Sequence, residues 1–479
     1  MSRLPYDPAE NDVFWEKIRQ LPGFPKEDVI PLRQMIFEPG AIFRLPEILR
    51  TAGVRFSMPI LAVMDATPMR RDDDSLKPLI IRVLRQAGWE VETFVLEADA
   101  TGQVHTDMPH IEAVKARLSP EKAVVSIGSG VVTDITKHAC YLYEQEIQRP
   151  VRFIVYQTAN SVSAYTSNMA PVFIGGVKRT LPSRYPDALV CDLETLRDAP
   201  RDMTVSGVGD LLAAFVALAD WYLADQLGFI DHYSLLPELL MGSLDELLLE
   251  QAEAIHQGSL EAMALLAKLI SLGGLVMSLC HDTTPLSGYE HVMSHVLDLQ
   301  SELAGRPFAL HGTQVALTTI LGAAAYQQFL ECFEPDSVKL DDCFPPQDMM
   351  RQMVFSTFHA IDPSDKAGQE CWSDYHVKLE KWRDRRNKFE AFLKNWPTIK
   401  PELASRTRSP DYLKRIFAAV GGPCKFAQLA PPADEATVRF AFLNAPLIRK
   451  RITLGDLLIF LKWDRKTLWQ QIWHSTQSC

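Results

Sequence analysis

The spacing of apolar residues changes near residue 203, and this change constrains the fold of the 479-residue chain more than any other feature. Before it, short β-branched runs alternate with amphipathic stretches. The runs predict strands at 58–65, 89–96, 123–128, 151–158 and 188–192, with helices at 75–88 and 110–118 between them. Apolar strands separated by helices indicate a mostly parallel sheet covered on both faces. After residue 203, apolar residues recur every three or four positions, which is typical of helices. We therefore expect an α/β domain over 1–202 and an all-α domain over 203–479.

Composition and charge exclude several classes of protein. Hydrophobic residues make up 47% and charged residues 23%, as in soluble globular proteins. The net charge of −11 argues against a nucleic-acid binder. The eight cysteines form no CxxC pair, so neither a thiol zinc site nor a disulfide framework is indicated. We expect a reduced, cytoplasmic setting.

Two segments need a separate interpretation. The apolar run 259–280 carries Lys268 near its centre, which would cost about 2.5–3.5 kcal/mol inside a bilayer. We therefore predict a buried core helix and no membrane span. Residues 334–400 look like an insertion, and the charged stretch 377–396 predicts a solvated helix with internal ion pairs rather than a docking surface.

The segment SIGSGVVTDITK (126–137) carries the first chemical signal. A strand ends there, and Gly128-Ser129-Gly130 turns into a helix whose amino-terminal N–H groups can bind a phosphate. Asp134 and Lys137 follow at three-residue spacing. Because any strand–turn–helix can use glycines, both a phosphate site and a plain turn remain open.

Asp65 ends the first predicted strand. A carboxylate at that position can accept hydrogen bonds from a ribose, as in dinucleotide-binding folds, or can simply cap a turn. Arg70 and Arg71 follow closely and offer a site for a 2′-phosphate. The choice between NAD and NADP therefore stays open.

The helical half contains potential metal ligands. His291 and His295 are four residues apart, on one face of a helix, while Asp210 and His311 lie at predicted helix starts. Carboxylate and imidazole ligands suit zinc, iron or nickel. Single buried histidines are usually structural, and spacing cannot pair residues so far apart in the chain.

Several segments in order resemble the sn-glycerol-1-phosphate dehydrogenases, within the superfamily of iron-containing alcohol dehydrogenases and dehydroquinate synthase. The segments are GSGVVTDITK, QTANS, GGVKRT, SGVGDLLAA, SGYEHVMSH, HGTQVA and NAPLIRKRITLGDLL. The resemblance implies a nucleotide-binding domain, a helical metal-binding domain and catalysis between them. It also implies NAD or NADP, one divalent metal, a phosphorylated small-molecule substrate and, as a possible assembly, a homodimer.

The resemblance carries roles onto individual residues. It implies that Gly128, Gly130 and Asp134 belong to the pyrophosphate loop, which Lys137 closes, and that Thr158 and Ser161 line the nicotinamide. It implies that Asp210, His291 and His311 bind the metal, that His295 contacts substrate or relays a proton, and that Lys178 binds a phosphate head group.

Two positions depart from the family pattern. Where the family has an aspartate facing the substrate, this chain has Ser163, and Thr313 stands where the family has a glutamate. A serine carries no charge but can hydrogen-bond a substrate hydroxyl, so we expect Ser163, with His295 and Lys178, among the catalytic residues. The sequence therefore favours a metal-dependent dehydrogenase of a small polyol or its phosphate. A lyase or cyclase that retains NAD and a non-catalytic relative remain alternatives.

Overall fold

The computed structural model describes residues 4–174 and 177–477. Its main sheet has six parallel strands in the order β1-β10-β7-β6-β2-β5, and two small sheets pair β3 with β4 and β8 with β9. The strands are β1 (Gln34–Glu38), β2 (Ile60–Asp65), β3 (Arg70–Arg71), β4 (Asp74–Ser75), β5 (Val91–Leu96), β6 (Ala123–Gly128), β7 (Arg152–Gln157), β8 (Met169–Ile174), β9 (Val177–Pro182) and β10 (Ala188–Asp192).

The described chain also contains 21 α-helices. They are α1 (Asp12–Ile18), α2 (Ala41–Thr51), α3 (Leu76–Gln86), α4 (Met108–Lys115), α5 (Gly130–Ile147), α6 (Leu193–Asp198), α7 (Arg201–Leu212), α8 (Ala214–Gln226), α9 (Leu236–Met241), α10 (Leu244–Gln257), α11 (Leu260–Leu279), α12 (Tyr289–Leu303), α13 (His311–Cys332), α14 (Gln347–His359), α15 (Lys366–Asp384), α16 (Arg386–Lys394), α17 (Trp396–Arg406), α18 (Pro410–Ala419), α19 (Glu435–Asn444), α20 (Leu454–Phe460) and α21 (Arg465–Thr476). Every described strand lies before residue 193, which confirms the predicted order of an α/β part and an all-helical part.

The sheet forms where the sequence predicts strands. β6 and β10 are buried along their whole length, since helices cover both faces of a parallel sheet. β1 was not predicted. It is a five-residue edge strand with one fully buried residue, so its sequence lacks the long apolar run that identifies the inner strands.

The described chain divides into two compact units that do not follow chain order. The sheet unit contains the residues up to Ile174, Lys178–Leu211 and Leu239–His281, so α10 and α11 belong to it although they follow the strands. The helical unit contains Leu212–Glu238 and the residues from Asp282 onward. The change of apolar periodicity lies between residues 202 and 203. That these residues also form the limit between two domains stays a prediction.

Two described helical stretches, Arg201–Gln226 and Leu260–Leu279, are long and apolar enough to cross a membrane by length and composition. The apolar windows of these stretches are 83% and 78% buried, which is how core helices behave. Within the second, Lys268 forms a 2.8 Å ion pair with Asp7. The positive charge of Lys268, on which the prediction of no membrane span rested, is therefore paired with a carboxylate of the same sheet unit.

The prediction of a solvated helix with internal ion pairs over 377–396 is wrong in part: Glu390 and Lys394 form an exposed ion pair at 3.0 Å, but the segment is neither a single helix nor solvated on all sides. The segment spans the end of α15, all of α16 and the first residue of α17. Its residues Leu379, Trp382, Phe389 and Phe392 are buried. The ring of Trp382 stacks on Phe460 with centroids 4.5 Å apart. The many charges hid an apolar face with spacings of three and seven residues, and this face packs the apparent insertion into the core of the helical unit.

Candidate functional site

A tight turn joins β6 to α5, and two of its positions leave no room for a side chain. A Cβ on Gly128 would lie 2.5 Å from the Cβ of Val132, and one on Gly130 would lie 2.4 Å from Cγ2 of Val162. Ser129 occupies the N-cap position and makes no side-chain capping bond. Backbone N–H groups therefore dominate the amino end of an 18-residue helix, and this arrangement favours an anion.

One turn into α5, Asp134 and Lys137 form a buried ion pair at 2.7 Å. The Lys137 ammonium also donates to the carbonyl of Ala164 at 2.9 Å, which ties α5 to the loop after β7. Burial raises the pKa of Asp134, and the cations of Lys137 and Lys178 oppose that rise. Lys178 lies on β9 with its ammonium 5.7 Å from the ring centre of Phe173. The structure thus groups both lysines with Asp134.

The loop 158–168 follows β7 and carries both residues that the resemblance assigns to the nicotinamide. The Thr158 N–H donates to the carbonyl of Gly128 at 3.2 Å, which fixes the loop beside the glycine turn. Its hydroxyl is buried and has no hydrogen-bond partner among the described residues. The Ser161 hydroxyl instead lies 3.0 Å from that of Tyr165. Thr158 therefore has a polar atom to offer a ligand, whereas the hydroxyl of Ser161 already has a protein partner.

Helix α7 docks on this loop through one of its faces. The Ser206 hydroxyl donates to the carbonyl of Ser161 at 3.2 Å. A Cβ on Gly207 would lie 2.1 Å from the carbonyl oxygen of Asn160, so only glycine permits this approach. Asp210 lies in the last turn of α7, so the prediction that it starts a helix is wrong. Its Oδ2 accepts bonds from the backbone N–H of Ser163 at 2.9 Å and from the Ser163 hydroxyl at 3.0 Å.

Charged residues surround the carboxyl end of β2. The Lys77 ammonium bonds the carboxylate of Asp65 and, at 2.7 Å, its carbonyl. Arg71 is buried and lies 2.9 Å from both Asp192 and Glu194. The prediction that Arg71 receives a 2′-phosphate is therefore not favoured, because these two carboxylates and that of Asp72, at 3.1 Å, already hold its guanidinium. Arg70 remains largely exposed.

Three histidines meet in the helical unit. His291 and His295 lie on one face of α12, and His311 begins α13, which packs beside it. The ring of His311 lies 5.2 Å from that of His291 and 6.1 Å from that of His295, centre to centre. The Gln314 amide fixes the two helices by donating to the hydroxyl of Ser294 at 2.8 Å. The structure thus gathers three of the predicted site residues.

Two residues that sequence reasoning missed contact these histidines. Oε1 of Glu290 lies 2.8 Å from Nδ1 of His291 and accepts from the N–H of Gly288 at 2.6 Å. A carboxylate on Nδ1 fixes the ring and makes Nε2 the nitrogen suited to a metal. Arg449, which is also buried, lies with Nη2 3.3 Å from Nδ1 of His295. Glu290 directly precedes His291 in the segment SGYEHVMSH, and Arg449 lies in the segment NAPLIRKRITLGDLL, 154 positions from His295.

Burial also changes the acidity behind the cluster. The carboxylate of Asp220 accepts from the N–H of Tyr289 at 2.7 Å and from the Tyr326 hydroxyl at 2.5 Å. Its burial, together with the nearby charge of Glu290, raises the pKa of Asp220 to about 8. The hydrogen bonds from the Tyr326 hydroxyl and from the backbone N–H groups of Leu454 and Tyr289 oppose this rise, because they stabilise the charged form of the carboxyl.

The chain is similar in sequence to known dehydrogenases. Residues 36–200 match the model of the iron-containing alcohol dehydrogenase family. A glycerol-1-phosphate dehydrogenase of Bacillus velezensis that uses NAD(P)+ is 30% identical over 312 residues, covering 63% of this chain and 75% of that enzyme. The enzyme of the same name from Halalkalibacterium halodurans is 27% identical over 366 residues, covering 72% and 88%.

Solved structures share the fold at low identity. A probable glycerol dehydrogenase from Sinorhizobium meliloti aligns with a TM-score of 0.52 at 16% identity, covering 90% of this chain and 96% of that one. A 1,3-propanediol oxidoreductase aligns with a TM-score of 0.54 at 15% identity, covering 93% and 99%. At these identities the likeness concerns the fold alone.

Proposed function

The chain belongs to the glycerol-1-phosphate dehydrogenase family, a branch of the iron-containing alcohol dehydrogenases, and on that premise we propose that it interconverts a small phosphorylated polyol and its ketone with NAD(P) and a divalent metal. The observation that carries the proposal is the 30% identity that extends over three quarters of the Bacillus velezensis enzyme. The buried glycine turn and the histidine cluster support it, because they lie in the segments that carry the resemblance.

We propose Asp210, His291 and His311 as the metal ligands. One carboxylate and two imidazoles suit zinc, iron or nickel, and three protein ligands leave a position for substrate. The Glu290 carboxylate on Nδ1 supports the role of His291, since metal-binding histidines commonly have such a partner. When bound, a divalent metal supplies Lewis-acid polarisation of the substrate oxygen.

The nucleotide side belongs to the sheet unit. We propose that the N–H groups at Gly128, Ser129 and Gly130 bind the pyrophosphate, with the buried pair of Asp134 and Lys137 holding the first turn of α5. We propose that the buried Thr158 hydroxyl forms a hydrogen bond with the nicotinamide. Ser161, whose hydroxyl is paired with Tyr165, is proposed to line the nicotinamide site by packing.

The adenosine end determines the choice of cofactor. Asp65 is proposed to accept from a ribose hydroxyl while Lys77 holds it in place. Because Arg71 is already paired, Arg70 alone of the two arginines is offered to a 2′-phosphate. This arrangement supports use of NAD at least as well as NADP.

His295 and Lys178 are proposed to act on the substrate. A guanidinium only donates hydrogen bonds, so Nδ1 of His295 accepts from Arg449 and the ring proton lies on Nε2. From Nε2 the proton can pass to the oxygen of the ketone, which becomes the hydroxyl of the product. The Lys178 ammonium is proposed to hold the phosphate, which adds binding energy away from the reacting carbon.

The test is a steady-state assay with dihydroxyacetone phosphate and NADH or NADPH, run on wild type, His311→Ala and, as a matched control, the exposed His359→Ala. We expect turnover in wild type and the control, and loss of both turnover and bound metal in His311→Ala. Tightly retained NAD without net NADH production would instead favour a lyase or cyclase. Bound metal without turnover of any polyol, ketone or aldehyde would overturn the proposal in favour of a non-catalytic relative.

We further propose a cytoplasmic enzyme that works as a homodimer and binds neither nucleic acid nor membrane. The acidic charge of −11 supports the exclusion of nucleic acid, and the burial of both long apolar stretches supports the exclusion of a membrane. Sedimentation at micromolar concentration tests the dimer.

A further inference from the structure

Ser163 makes two bonds to a single oxygen. Its backbone N–H and its hydroxyl donate to Oδ2 of Asp210 at 2.9 and 3.0 Å, and the serine is only 7% exposed. A serine hydroxyl has one proton to donate. Because that proton goes to Asp210, the hydroxyl has none left for a substrate oxygen.

The loop that carries Ser163 is held on both sides. The Lys137 ammonium bonds the carbonyl of the next residue, Ala164, at 2.9 Å. The Thr166 hydroxyl donates to the carbonyl of Ser271 at 2.7 Å. The two donors of Ser163 are therefore held in place without a ligand, and they are positioned to bind the carboxylate of Asp210 on α7.

We propose that Ser163 is a positioning residue for Asp210 and does not contact the substrate. The inference rests on the proposed role of Asp210 as a metal ligand. Two donors on Oδ2 fix the orientation of the carboxylate, which would leave Oδ1 available to hold a metal. Loss of a supporting bond of this kind typically costs about 10- to 100-fold in metal affinity.

The same geometry explains why serine suits this position. An aspartate at 163 would place a second carboxylate against Asp210, and two like charges at hydrogen-bonding distance repel. The backbone donor would remain, but the hydroxyl donor would be replaced by a repelling acceptor. The family pattern and this chain thus differ by the loss of a negative charge and the gain of a donor.

The experiment measures metal affinity by chelator competition, together with the visible spectrum of the Co²⁺-loaded protein. Ser163→Ala removes one of the two donors, and Ser163→Thr keeps both. Ser167→Ala is the matched control, because Ser167 is a buried serine of the same loop whose hydroxyl, among the described residues, bonds the backbone of Met169 and not Asp210. Circular dichroism verifies that each variant folds, and Asp210→Ala reports on the ligand itself.

We expect Ser163→Ala to lose about 10-fold in Co²⁺ affinity and to change the Co²⁺ spectrum, with an unchanged KM for dihydroxyacetone phosphate once metal is saturating. Ser163→Thr and Ser167→Ala should keep wild-type affinity. Unchanged metal affinity with a raised KM in Ser163→Ala would overturn the inference and make Ser163 a substrate contact. If Asp210→Ala also keeps full affinity, the proposed metal ligand itself is wrong, which is a separate failure of the proposed function.

Discussion

Gly207→Ala tests whether the close approach of α7 to the loop 158–168 holds the site together. The added Cβ would lie 2.1 Å from the Asn160 carbonyl oxygen and 2.9 Å from Cδ1 of Ile270. Since a carbon normally stays about 3.3 Å or more from a carbonyl oxygen, the helix or the loop must move by about 1 Å. Overpacking of this kind costs about 1–3 kcal/mol, while alanine regains about 1 kcal/mol of helix propensity. Because the clash is severe, we take the overpacking cost near its upper end, about 3 kcal/mol, so that the expected net destabilisation is about 2 kcal/mol.

The assay compares urea unfolding and metal affinity of Gly207→Ala with those of Gly368→Ala. Gly368 is also a buried helical glycine, but its nearest contact to an added Cβ is an ordinary 3.4 Å to Phe355. Gly368→Ala should therefore be neutral or more stable by about 0.5–1 kcal/mol. Because Asp210 lies one turn beyond Gly207, a shift of about 1 Å should also weaken metal binding and activity, by up to about 100-fold in rate. A Gly207→Ala protein with wild-type stability and metal affinity would refute the reasoning.

Three further changes test other contacts. Lys378→Ala should cost about 3–5 kcal/mol in urea unfolding, because it leaves the buried Asp456, 2.5 Å away, without its partner; a loss under 1 kcal/mol would contradict this. Glu290→Gln should weaken Co²⁺ binding about 10- to 100-fold in a chelator competition while His359→Ala does not, and equal affinities would show that Glu290 has no supporting role. Thr158→Val should raise the Kd for NAD(P)H about 3- to 10-fold by fluorescence titration with unchanged stability, since its hydroxyl makes no hydrogen bond with the described residues; a stability loss without a change in Kd would argue for a structural threonine.

Sequence reasoning located the elements whose signal is local. β6 and β10 begin and end at the predicted residues, because a continuous apolar run bounded by turns identifies an inner parallel strand. β1 lacks such a run, and its pairing with β10 is decided by contacts between residues 154 positions apart in the chain. The same limit explains the error at 377–396, where an apolar face was hidden among charges.

For the candidate site, residue types were predictable but partners were not. The spacing of His291 and His295 placed both on one helical face, and the structure adds His311 beside them. No spacing rule could show that Ser163 bonds Asp210, because that contact depends on how α7 docks on a loop 47 positions earlier in the chain. Contacts of this kind arise only once the tertiary structure brings separate segments together.

The most direct test of the account is the rate of NAD(P)H oxidation with dihydroxyacetone phosphate, measured on metal-free protein before and after one equivalent of zinc, iron or nickel is restored. The account predicts no rate without metal, recovery with at least one of the three, and no recovery in Asp210→Ala. A metal-free protein that turns over at the full rate, or a metal-loaded one that oxidises no NAD(P)H with this ketone, would contradict the proposal of a metal-dependent dehydrogenase.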